Sequence, residues 1–101
     1  MEYFEQQITV TQVGRFDGYN HEVRHYHVDL TTFQKDPIHQ MQQDKMAAVI
    51  RTMFEWRAYD GPGGSRVQTC QYEGVIGRTE IDHGECGVHR FTVVVRTSGT
   101  D

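Results

Sequence analysis

The chain has 101 residues, enough for one domain with one core, and 37% of them are apolar or aromatic. Its net charge is −4, with fourteen acidic residues against ten basic ones, which argues against a nucleic-acid binder that works by phosphate neutralisation. No apolar run approaches the ~20 residues of a membrane-spanning helix, the N-terminus lacks a basic region followed by an apolar stretch, and two cysteines make no disulfide framework, so a reduced, cytoplasmic protein is expected.

Residues 3 to 32 read as a β-hairpin turning at Asp17-Gly18-Tyr19, where glycine supplies the reversal. A three-residue loop there sets Val10 opposite Tyr26, Ile8 opposite Val28 and Phe4 opposite Thr32. On the other face it sets Thr11 opposite His25 and Thr9 opposite His27. One face is then apolar and the other polar, the pattern of a sheet covered on one side.

Residues 36 to 60 read as one helix. Asp36 is placed to cap it, Pro37 fits its first turn, and Gly61-Pro62-Gly63-Gly64 ends it. Ile38, Met41, Met46, Val49, Ile50, Met53 and Phe54 recur at three- and four-residue steps and form the stripe expected to face the core. Trp56 and Tyr59 lie off that stripe, as a wider core contact or an aromatic anchor.

Residues 65 to 97 read as a second hairpin. Cys70, Tyr72 and Ile76 share one face of its first strand, Gly77 marks a bulge, and Phe91, Val93 and Val95 face inward from its second strand. The order is ββαββ. It implies a single α+β domain: a four-stranded, largely antiparallel sheet with one long helix on one face and the other face open.

Three groups of residues have chemical potential. His21, His25, His27 and Asp29 fall on one face of a strand, where alternate residues lie roughly 6.5–7 Å apart and two imidazoles can reach one zinc ion. His83, Cys86 and His89 gather a thiolate and two imidazoles at a turn, but their spacing lacks the paired ligands of structural zinc sites. Cys86 as a nucleophile would need a base and an oxyanion hole, and a hairpin tip offers little concave surface for them.

The third group is the open sheet face, expected to carry Val67, Thr69, Gln71, Glu73, Val75, Arg90, Thr92, Val94 and Arg96 beside His25 and His27. Arginine, valine and histidine interleaved suit a protein partner or a second copy of the chain. Base stacking by nucleic acid would require aromatic rings on that face, and this register supplies none. The leading expectation is a small non-catalytic protein-binding module, a class that includes inhibitors and accessory proteins such as phage-encoded antagonists of host defence. Arg90, Arg96, Val94, His25, His27, Gln71 and Glu73 are its expected contact residues. The alternative is a metal-binding protein or small metal-dependent enzyme built on the histidine-rich strand.

Overall fold

The alternating patterns become four long antiparallel strands. The computed structural model describes residues 7–57, 63–82 and 84–98. In chain order they form β1 (Gln7–Gly18), β2 (His21–Thr32), α1 (Gln40–Phe54), β3 (Trp56–Arg57), β4 (Gly64–Ile81) and β5 (Gly84–Ser98). The sheet order is β1-β2-β5-β4-β3, so the hairpins join through β2 and β5, and two-residue β3 extends the β4 edge. The single α+β domain, the ββαββ order of its four long strands and helix, and its open antiparallel sheet are as the sequence implies; α1 lies against β4.

The first hairpin slips from its expected register by two residues. Val10 faces Val28 and Ile8 faces Leu30: the turn Tyr19-Asn20, with Asn20 at φ 61°, sets the pairing beside it three residues off a loop centred on Gly18, and the extra residue at Val13 takes one of these back. Up to Gln12 the net shift is even and leaves each side chain on its expected face. Between Gln12 and Gly14 the register breaks at Val13, and beyond this bulge the parity of β1 changes. Phe16 therefore pairs with Val23 and joins the open face. The pairing expected for Phe4 lies outside the described residues.

The helix is shorter than its period suggests. Ile38 is buried ahead of it, its N–H bonds the Tyr72 hydroxyl at 3.4 Å, and its carbonyl accepts from Gln43 Nε2 at 2.8 Å. These ties hold the segment extended, so Asp36 and Pro37 stay in the loop and His39 becomes the N-terminal boundary without a side-chain cap. At the other end Glu55 turns extended. Its carboxylate accepts the Val67 N–H at 3.0 Å, and Arg51 Nη1 donates to the Val67 carbonyl at 3.2 Å. With β4's backbone engaged there, Trp56 pairs with Ser65 as strand, not helix. Tyr59 lies outside the described residues.

The core is formed by Val28, Leu30, Ile38, Met46, Ile50, Val67, Phe91, Val93 and Val95, with Tyr26, Ala47, Phe54, Cys70 and Tyr72 packed against it. Met41, Val49 and Met53, expected in the same stripe, are exposed. A 15-residue helix is roughly 22 Å long, whereas the molecule extends 51 Å. One helix cannot cover the sheet, so Ile8 and Val10 on the helix side of β1 stay exposed; Phe16 is exposed because it lies on the open face.

Candidate functional site

The open face is a lattice of cross-strand rows. From β1 to β4 these read Phe16–Val23–Arg96–Arg66, Gly14–His25–Val94–Thr69, Thr11–His27–Thr92–Gln71 and Thr9–Asp29–Arg90–Gly74. Arg90, Arg96, Val94, His25, His27 and Gln71 thus share the face expected of them. Glu73 sits at a register break between Tyr72 and Gly74, where Gly74 adopts φ 115°.

Two valines expected on the open face lie on the helix side. Val67 pairs with Val95 and is buried, and Val75 pairs with His89 on the side that carries the helix. Register breaks after Val67, Tyr72 and Val75 change the parity of β4 three times, so simple alternation cannot follow it. The same breaks concealed Arg66, which precedes the first of them and stands directly opposite Arg96.

The two ends of this face differ in charge state. Arg90 makes a forked pair with Asp29, Nε to Oδ1 at 2.9 Å and Nη2 to Oδ2 at 3.1 Å, so its charge is already matched. The hydrogen bonds to Asp29 raise the Arg90 pKa above its usual value. Arg66 and Arg96 are both exposed, and among the described residues neither has an acidic partner. Like charges opposite one another on neighbouring strands destabilise a sheet. Two exposed arginines at directly opposed positions on an acidic protein make a local cationic spot that favours carboxylates.

The histidine strand holds His21, His25, His27 and Asp29 on one face, as expected, but engages two of them. His21 Nδ1 donates to the Tyr19 carbonyl at 2.9 Å with its ring lying over Gly18, and Asp29 is held by Arg90. Among the described residues no group of three His, Cys, Asp or Glu side chains is gathered closely enough to hold a metal ion.

The turn cluster separates. His83 lies outside the described residues. Cys86 is fully buried with its thiol directed at the Gly84 carbonyl, 3.7 Å away. His89 is also fully buried and uses both nitrogens: Nε2 donates to the Gln34 carbonyl at 2.6 Å, and Nδ1 accepts the Tyr72 hydroxyl at 2.8 Å. Tyr72 in turn accepts the Ile38 N–H. This chain pins the β2–α1 loop onto the sheet. Gly87 lets the loop pass, because a Cβ there would stand 2.5 Å from the Gln34 carbonyl oxygen. Both cysteines are free thiols. Cys70 lines a polar cleft of about 430 Å³ between α1 and β4, and burial pushes its thiol pKa up, away from the thiolate.

No helix among the described residues is long and apolar enough to cross a membrane. No protein-family model matches the chain, and no curated protein or solved structure is significantly similar to it.

Proposed function

We propose that this chain is a non-catalytic protein-binding module whose open sheet face receives an acidic patch of a partner protein. The observation that carries the reading is the opposed pair Arg66 and Arg96, exposed and without acidic partners among the described residues. A pair that costs the sheet stability is better explained by what it binds than by the fold. Val94 and Val23 supply apolar contact beside it, and His25, His27, Thr92 and Gln71 supply hydrogen-bonding groups. Asp29 and Arg90, already paired, border the site. Forked guanidinium–carboxylate bonds would give the contact its direction.

The test exploits the conflict between stability and binding. Arg66→Glu converts a like-charge pair into an opposite-charge one, so it should leave the protein as stable as before or add about 0.2–1 kcal/mol. The same change should weaken partner binding at least tenfold, or about 1.4 kcal/mol. Immobilised wild type, R66E and R78E compare the effect at constant charge change, since Arg78 lies opposite Gly87 on the helix side of the sheet. A partner protein retained by wild type and R78E but lost from R66E supports the reading. Equal retention by all three baits contradicts it.

A further inference from the structure

We infer that the free edge of β1 pairs antiparallel with the same edge of a second copy of this chain, about a two-fold axis through Phe16. The inference is independent of the open-face reading, because it concerns the strand's edge and the backbone groups it leaves unpaired.

The sheet's two edges are treated differently. Along β4 the register breaks three times, β3 pairs with Gly64 and Ser65, and Glu55 and Arg51 occupy the N–H and carbonyl of Val67. Bulges and covering groups of this kind block edge pairing. Along β1 there is one break, at Val13, and from Gly14 to Gly18 the pairing with β2 is regular. No described element covers the outer side of that segment.

The segment reads Gly14-Arg15-Phe16-Asp17-Gly18. Reversing it exchanges only arginine and aspartate. In an antiparallel pair centred on Phe16, Arg15 of each copy therefore faces Asp17 of the other, Phe16 faces Phe16, and glycine faces glycine. Charged side chains on an edge repel most incoming strands. Here they are arranged so that this chain's own edge satisfies them.

Within one copy Arg15 Nε bonds Asp17 Oδ1 at 2.9 Å and Arg15 also pairs with Glu22. The hydrogen bond from Arg15 holds the Asp17 carboxyl below its ordinary pKa, so both charges are present at neutral pH. On pairing, each guanidinium keeps Glu22 and can exchange its own Asp17 for the neighbour's. On the open face Phe16 is 62% exposed with the His21 ring 6.5 Å away, and the two-fold brings two such ring pairs into one aromatic row. Directly opposed residues of an antiparallel pair point to the same side, so both open faces would lie on one side of a continuous sheet.

Sedimentation and light scattering of Arg15→Asp, Asp17→Arg and their mixture test the pairing. Wild type is expected to be a dimer at high micromolar concentration. Each single variant brings like charges together across the axis, so its dimer dissociation constant should rise at least tenfold. Mixing the two variants restores both opposite-charge pairs and should restore a one-to-one heterodimer, which a folding defect or a damaged intrachain pair would not allow. R66E, three strands away from Phe16, should dimerise like wild type. A monomeric wild type, single variants that still dimerise, or a mixture that stays monomeric overturns the inference.

Discussion

Phe91→Ala is expected to destabilise the protein by about 3–5 kcal/mol, while Met41→Ala should change stability by less than about 0.5 kcal/mol. Phe91 is 1% exposed at the centre of β5, between Val28 and Tyr72, and its ring lies 5.2 Å from that of Tyr72. Its position leaves the cavity little chance of collapse, since strands on both sides are fixed by hydrogen bonding. Met41 occupies the helical period equally well in the sequence, but it is 70% exposed. Small single domains are stable by only about 5–15 kcal/mol, so loss of the phenyl ring should remove a large fraction of that stability and lower the denaturation midpoint accordingly. Urea melts of both variants check the assignment; similar midpoints would contradict it.

His89→Leu is expected to cost about 2–5 kcal/mol despite its gain in hydrophobicity. It leaves the Gln34 carbonyl with only the long 3.5 Å contact from the Thr32 hydroxyl and the Tyr72 hydroxyl without an acceptor, each loss at roughly 1–3 kcal/mol. Tyr72→Phe alone should also destabilise, because the Ile38 N–H loses its acceptor. Since the groups form one chain, the double variant should be less destabilised than the sum of the two, with a coupling of about 0.5–3 kcal/mol. Hydrogen exchange at Ile38 supplies a local readout. Both variants should speed it beyond the change in global stability, whereas additive costs and an unaltered Ile38 amide would show that the network does not hold the loop.

The sequence was legible where one physical requirement governs several residues at once. Phe91, Val93 and Val95 alternate without interruption, so their inward face and that of β2 could be read directly. From Gln7 to Gln12 the two-residue slip of β1 did no harm to the faces because it was even. Legibility failed at the bulges. Val13 carries no turn signal and yet moves Phe16 to the open face, and three breaks in β4 place Val67 and Val75 on the helix side. The helix boundaries failed for a tertiary reason. Asp36-Pro37 is a sound local start signal, but Ile38 is held by Tyr72 and Gln43 from outside the first turn. The exposure of Met41, Val49 and Met53 has the same origin: a period identifies a stripe, but the width of the surface beneath decides how much of it is covered. At the candidate site His25, His27, Arg90 and Arg96 were found by alternation. The partnership of Asp29 with Arg90 and the opposition of Arg66 and Arg96 needed the register between β2, β5 and β4.

The most direct test of the open-face reading is side-chain footprinting of the protein alone and with the partner recovered on the wild-type bait. Diethylpyrocarbonate should modify exposed His25 and the partly exposed His27 in the free protein, and buried His89 should stay unmodified as an internal standard. Hydroxyl-radical oxidation of Met41 and Met53 reports on the helix side of the same molecule. With the partner bound, protection is expected at His25 and His27 while both methionines remain as reactive as before. Protection of Met41 and Met53 with His25 and His27 still labelled would contradict the account and place the interface on the helix.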